Sequence, residues 1–315
     1  MQVVADAWAP RIVVMGVGGA GCNFIDALLG QPGAEQLGCV AANTDASALA
    51  RSRALTKLQL GTSGLGAGAM SSAGRASAKT SRQAIRQALK HAQFLILVTG
   101  LGGGTGTGAS PVIAKVARKM GIPVIAIVTR PFSFESRERV ARKGLRRLRR
   151  QTEAVLPLSL DDFAARCGPD AAMDQLFDIV DREVINLVRC FTSTVLEPNM
   201  VNRDLSVVLD WLTDAGELSA TSITGKGESA LKEVLATLHA EGGIVARQLN
   251  DTRRVLVTIT ESSVPTMRSI RKIVRTVQEH TPPEAFFIYA STSEPGLDTD
   301  LRVTFVTSRM KWRRH

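Results

Sequence analysis

The sequence predicts an α/β protein of two units: a larger one with a parallel sheet covered by helices on both faces, and a smaller α/β unit after about residue 219. Three observations carry this. Short, unbroken apolar runs recur at residues 11–16, 38–42, 94–99 and 123–128, the pattern of strands buried on both faces. Glycine-rich turns and segments of helical period alternate with those runs. The 315 residues are enough for two domains at roughly 100–200 residues each.

The first run (Ile12, Val13, Val14) ends in glycines and reads as a strand entering a tight turn, with a helix over 23–29. The second strand, 38–42, ends at Asn43-Thr44-Asp45. A glycine loop follows at 61–68, then helical composition at 81–91. The strand at 94–99 runs into a second glycine loop at 100–108, which opens a helix over 110–120. After the strand at 123–128, residues 137–150 read as a helix with Val140, Gly144 and Leu148 on one face and arginines elsewhere. A long helix is expected over 171–195, where Leu176, Ile179, Val180, Ile185 and Val188 keep helical spacing. Pro198 breaks it, and 205–213 resumes as helix. Beyond residue 219, strands at 255–260 and 286–290 flank a helix at 267–279, and 301–307 alternates as a last strand.

Composition narrows the class. No apolar run reaches the roughly 20 residues of a transmembrane helix. Residues 1–10 lack the basic start and apolar stretch of a signal peptide, so a soluble cytoplasmic protein is expected. Cys22, Cys39, Cys167 and Cys190 show no CxxC or zinc spacing and read as free thiols; Cys22, inside a glycine loop, reads as a small residue near a ligand. The net charge of +10 is concentrated: residues 137–150 carry +7 and residues 309–315 carry +4, leaving the rest at −1. That points to a local anionic contact, a membrane surface included, rather than to a specific nucleic-acid surface.

The loop Gly102-Gly103-Gly104-Thr105-Gly106-Thr107-Gly108 lies between a strand and a helix. Glycines there let backbone approach an anion, the helix start offers free N–H groups, and Thr105 and Thr107 add hydroxyls. With no lysine of the GxxxxGK[ST] type, it is not a Walker A loop. Gly16-Val17-Gly18-Gly19-Ala20-Gly21 also follows a strand. Alone it is a weak dinucleotide signal, and Asp45 is 29 residues from Gly16, further than the roughly 20 residues a Rossmann fingerprint expects.

The heptapeptide 102–108 resembles the signature of the tubulin/FtsZ family, and the likeness continues in order over residues 10–308. Residues 11–23 resemble the first nucleotide loop, Asn43-Thr44-Asp45 the NTD element, 64–68 the GLGAG loop, 131–135 the PFxFE segment and 300–307 the final strand. The resemblance implies a Rossmann-like GTP-binding domain (11–170), a long central helix (171–200), a smaller C-terminal α/β domain (201–308), an N-terminal extension (1–10) and a basic tail (309–315). It assigns Gly18, Gly19, Ala20 and Gly21 to the phosphates of GTP or GDP, with Mg2+ as a candidate companion ion, and Asn23 to guanine. Gly102, Gly103, Gly104, Thr105, Gly106, Thr107 and Gly108 become the α/β-phosphate cradle, while Ala67, Gly68 and Ala69 fall beside the γ-phosphate. Glu135 and Arg139 match ribose- and phosphate-side positions, and Phe177 the aromatic that covers the base.

The resemblance further implies a head-to-tail homopolymer in which each subunit completes its neighbour's hydrolytic site through an NxDxxD loop. Here Asn202 and Asp204 are kept, Val207 replaces the second acid, and Leu209 stands in place of an arginine; Asp210 lies one helical turn beyond Val207. Slow GTP hydrolysis is expected, because a lost general acid–base group costs roughly 10²–10⁴-fold. The alternative is a non-hydrolysing paralogue that co-assembles with a true FtsZ. The guanine-reading aspartate position holds Arg182, with Asp181 one residue before it. The family's PNDK-like loop reads Leu158-Ser159-Leu160-Asp161. Family members continue past the last strand into a linker and docking peptide; this sequence runs to Lys311-Trp312-Arg313-Arg314-His315, which leaves open whether such a segment belongs to it.

Overall fold

The computed structural model describes residues 11–196, 204–240, 243–294 and 296–308. The chain divides into two compact units between Asn186 and Leu187. In the first, β1 (Ile12–Val17), α1 (Gly18–Leu28), β2 (Gly38–Asn43), α2 (Ala46–Arg51) and β3 (Thr56–Gln59) are followed by α3 (Ser71–Thr80) and α4 (Arg82–Ala88). Then come β4 (Phe94–Gly100), α5 (Thr105–Lys119), β5 (Val124–Arg130), α6 (Glu138–Arg149), β6 (Ala154–Ser159) and α7 (Leu160–Cys167). The long helix α8 (Met173–Leu196) carries the chain into the second unit.

The six strands pair in parallel in the order β3-β2-β1-β4-β5-β6. This is the doubly wound arrangement, and the order reverses between β1 and β4. The apolar runs explain the centre: every residue of β1, and all of β4 but its last, is buried, because helices cover both faces. Met15, Leu97, Ile113, Val124 and Leu148 belong to one buried cluster under α5 and α6.

Two helices start earlier than expected. α1 begins at Gly18 rather than residue 23, and α5 at Thr105 rather than residue 110, so the second half of each glycine loop is a first helical turn. Glycine is a poor helix former, which hides these turns in the sequence. Its presence is steric. A Cβ on Gly106 would lie 2.4 Å from the Gly100 carbonyl oxygen, and one on Gly108 2.2 Å from that of Ser71.

The second unit contains α9 (Leu205–Leu212), β7 (Gly216–Gly225), α10 (Ala230–His239), α11 (Ile244–Asn250), β8 (Arg254–Glu261), α12 (Met267–Glu279), β9 (Phe286–Ser293) and β10 (Leu301–Ser308). Its strands run in the order β7-β10-β8-β9, with β10 antiparallel to both neighbours and β8 parallel to β9. Val257, Phe305, Val234 and Ile273 meet in its core. No helix among the described residues is long and apolar enough to cross a membrane.

The two kinds of glycine separate experimentally. Gly108→Ala overpacks the α3–α5 contact and should cost about 1–3 kcal/mol in urea unfolding. Gly103→Ala has nothing within 4 Å to meet and should leave the midpoint unchanged or slightly raised. Equal losses would contradict the packing role of Gly108.

Candidate nucleotide-binding site

The reversal of strand order brings the carboxyl ends of β1 and β4 side by side, the place where open parallel sheets bind ligands. Both strands lead into helices whose starts point there. Neither α1 nor α5 has a side-chain cap or an acid in its first turn, so their free N–H groups and positive dipole ends are uncompensated. The two turns touch: Gly18, at φ +77°, would put a Cβ 3.0 Å from the Gly106 nitrogen.

A cleft with two lobes opens over these turns. The first, about 310 Å³, is lined by Gly18, Gly19 and Ala20 of α1 and by Gly103, Gly104, Thr105 and Gly106. Glu135 and Arg137 edge it, with an Arg137 guanidinium nitrogen 3.8 Å from the Glu135 carboxylate. Gly19 and Gly103 face open space. The second lobe, about 330 Å³, is more apolar and takes Asn23 and Phe24 of α1 and Phe177, Val180, Asp181 and Val184 of α8. Gly19, Ala20, Gly100, Thr129, Leu160 and Phe177 line both lobes, which makes them one cleft. Phe177 is 44% exposed, a large aromatic face left uncovered at the junction.

Beside the first lobe, the 61–68 loop is pinned to the turn after β2. Ala46 N–H donates to Gly64 O (2.9 Å) and Gly66 N–H to Thr44 O (3.1 Å). Thr44 and Thr105 share a hydroxyl hydrogen bond of 2.6 Å, which ties this turn to the start of α5. Ala67 is buried against Gly104, whose Cβ position lies 2.8 Å from that of Ala67. Gly68 and Ala69 are exposed and do not line the cleft; Ala69 adopts φ +58°, a left-handed conformation rare for a residue with a side chain.

Several predicted contributors hold the cradle from behind. Thr107 is buried and its Oγ1 accepts from Gly102 N–H (2.8 Å), so only Thr105 of the two threonines lines the cleft. Gly108 packs on α3, and Gly21 packs between Gly16 and Val98. Cys22 turns into the core below α1, its Sγ 3.9 Å from Ala42 O. Burial, then the nearby Asp26 charge, pushes its thiol up to about 11. It is a packed thiol rather than the small residue near a ligand that its place in the loop suggested.

The matching family model, Tubulin/FtsZ family, GTPase domain, covers residues 11–168. The cell division protein FtsZ of Caulobacter vibrioides is 32% identical over 308 residues, 96% of this chain and 60% of that protein. FtsZ 1 of Thermococcus kodakarensis is 33% identical over 308 residues, 95% of this chain and 80% of the relative. The chain belongs to the tubulin/FtsZ family. Among solved structures, the empty FtsZ dimer of M. jannaschii superposes with a TM-score of 0.87 at 29% identity, covering 96% of this chain and 89% of that one. CetZ2 from Haloferax volcanii, solved as a GTPγS-bound protofilament, shares the fold: TM-score 0.74, 21% identity, 95% and 92% covered.

Within that family frame, the cleft differs from the residue-by-residue expectation at two places. Asp181 lines the second lobe, and Arg182, where the resemblance expects an aspartate, does not. Arg137 lines the first lobe, whereas Arg139 is exposed on α6 outside it. Thr129, Leu101, Pro131 and Leu160 also contribute. Leu101 belongs to the 100–108 loop, Pro131 to the 131–135 segment and Leu160 to the 158–161 loop, whereas Thr129 lies in no motif and reaches the cleft at the end of β5.

In the second unit, Asp204 is the exposed N-cap residue of α9 with no side-chain cap bond. Val207 is half-buried in the first turn, and Asp210 is exposed on the same helix. Asn202, the extension 1–10, the end of the expected central helix (197–200) and the tail 309–315 lie outside the described residues. Among the described residues no cluster of three His, Cys, Asp or Glu could hold a metal ion.

Burial, then the Asp178 charge, pushes the Asp181 carboxyl up to about 6. A carboxyl raised in the folded state favours folding at low pH, an advantage lost as pH rises to about 6. NMR titration of the full chain should show this carboxyl ionising near pH 6, and Asp178→Asn should lower the midpoint. A midpoint near 4, unmoved by Asp178→Asn, would contradict that environment.

Proposed function

We propose that this chain binds GTP or GDP in the cleft between β1 and β4 and assembles head to tail into cytoplasmic filaments, hydrolysing GTP slowly where one subunit meets the next. The observation that carries this reading is the pair of uncapped helix starts, joined through glycine contacts and opening on a cleft with an aromatic and a carboxylate at its far end. The FtsZ relatives and the FtsZ dimer support it.

On this reading the backbone N–H groups of Gly19, Ala20, Gly103, Gly104 and Thr105 receive the phosphates, assisted by Arg137. Glu135 accepts from the ribose hydroxyls. Phe177 stacks on the base, while Asn23 and ionised Asp181 meet its edge, Asp181 accepting from N1–H and the N2 amino group. The loop at Ala67, Gly68 and Ala69 faces the γ-phosphate once it is present. The donor set suits Mg2+ only as an ion carried on phosphate oxygens, where it neutralises charge.

Hydrolysis joins a water oxygen to the γ-phosphorus as the bond to the β-phosphate bridging oxygen breaks, giving GDP and inorganic phosphate, with the water's proton passing to a phosphate oxygen. Asn202 and Asp204 of the adjoining subunit orient that water. Val207 can neither accept a hydrogen bond nor take up the water's proton, so the step is slow.

Three measurements test this. Calorimetry should show GTP and GDP binding in preference to ATP, and Asp181→Asn should weaken GTP by roughly 10–100-fold, the cost of losing a charged acceptor. GTP affinity should fall by roughly tenfold per pH unit below about 6, because a protonated Asp181 cannot accept both hydrogen bonds. Phosphate release paired with sedimentation should show filaments with low turnover in the wild type and turnover raised by roughly 10²–10⁴-fold in Val207→Asp. Equal turnover in both would sink the role given to Val207; filaments without any turnover would favour the non-hydrolysing, co-assembling paralogue.

A further inference from the structure

Away from the cleft, the first unit carries a groove of concentrated positive charge. α3, α4 and α6 all pack on α5, and two adjoining cavities of about 350 and 360 Å³ run between them, sharing Arg75, Lys79 and Arg147. One wall presents Arg75 and Lys79 of α3 with Arg82 and Arg86 of α4. Lys115 and Lys119 rise from α5. The facing wall presents Lys143, Arg147 and Arg150 from α6 and its C-cap. No acid lines either cavity. Three of these cations, Lys143, Arg147 and Arg150, come from the charged run at 137–150, and the other six lie outside it.

Helix dipoles explain part of this. Lys79, Arg86, Lys119 and Arg147 sit in last helical turns, where cations are stabilising. Arg75, Arg82, Lys115 and Lys143 do not. None of the nine forms an ion pair among the described residues, although Arg130, Arg142, Arg189, Arg275 and Arg302 each find a carboxylate. Nine like charges lining one concavity repel each other, and an anionic occupant relieves that repulsion.

The shape and chemistry select among anions. A bilayer is flat and would reach only the rim of a concave groove. Single-stranded nucleic acid binds through aromatic stacking platforms, and no aromatic residue lines either cavity. Phosphate sites recruit helix N-termini and backbone N–H groups; here only the α3 start at Ser71 and Ser72 and the α4 start at Arg82 reach the groove, and most of its cations stand on long side chains spread over four helices. Its floor is apolar: Pro111, Val112 and Val116 lie between the cationic walls. We propose that the groove binds an extended acidic polypeptide segment of a partner protein, its carboxylates on the two walls and an apolar side chain over Pro111, Val112 and Val116. Arginine forks suit paired carboxylates, and lysines supply mobile charge at the rim.

The test uses the full chain and a fluorescent peptide of repeated Glu-Asp-Leu, read by anisotropy, beside its Gln-Asn-Leu counterpart, duplex DNA, and vesicles of equal phosphatidylglycerol and phosphatidylcholine. The acidic peptide should bind, weaken as salt is raised, and bind more tightly than the other three. Arg75→Glu with Lys79→Glu on one wall, and Lys143→Glu with Arg150→Glu on the other, should each weaken it by roughly tenfold or more. Arg268→Glu with Arg271→Glu, on the second unit's α12, should not. GTP affinity measured on every variant reports folding and keeps this result separate from the nucleotide reading. No peptide binding at low salt, an equal effect of the α12 control, or tighter binding of DNA or vesicles that the groove variants abolish would overturn the proposal.

Discussion

Two turns of chain can lie in contact only where neither places a side chain between them, and the cleft depends on that constraint. Gly106 stands against the end of β4 and against Gly18 at the start of α1. The contact draws the starts of α1 and α5 together, so two sets of unbonded N–H groups converge. Neither start carries a capping side chain, so the backbone amides stay available to a ligand. The glycines that hold this geometry differ from those that face the cleft: Gly106 and Gly108 pack, whereas Gly19 and Gly103 border open space.

The rest of the site is arranged around those turns. The Thr44–Thr105 hydroxyl bond attaches the end of β2 to the start of α5, and through it the 61–68 loop gains a fixed position. On the other side, α8 lays Phe177, Val180 and Asp181 along the second lobe. Burial in this apolar lobe, then the nearby Asp178 charge, disfavours the ionised carboxylate and holds that carboxyl above the usual range.

Much of the fold was legible in the sequence because central parallel strands are buried on both faces and so read as plain apolar runs; β1, β4 and β5 are examples. Edge and mixed elements were not. β3 buries only Leu58 of its four residues, and α3, with Ser71, Ser72, Gly74 and Ser77, resembles a loop in composition. Expected and observed helix starts differed where glycine serves sterics over propensity. In the site, Asn23, Phe177 and Asp181 could be named from pattern and resemblance and do line the cleft. Thr129 could not, since only strand order brings it there; Arg137 and Leu160 stood in segments the sequence singled out, but with no place at the cleft. The basic groove was half visible: residues 137–150 stood out as a charged run, but Arg75, Arg82 and Lys115 join it only through helix packing.

Backbone amides are the phosphate receptor on this reading, and amide exchange tests that directly. Hydrogen exchange followed by NMR on the full chain, with GDP added, should slow at Gly19, Ala20, Gly103 and Thr105, while guanosine, which lacks phosphates, should leave those four amides unchanged. Unchanged exchange with GDP, or equal protection by guanosine, would contradict it.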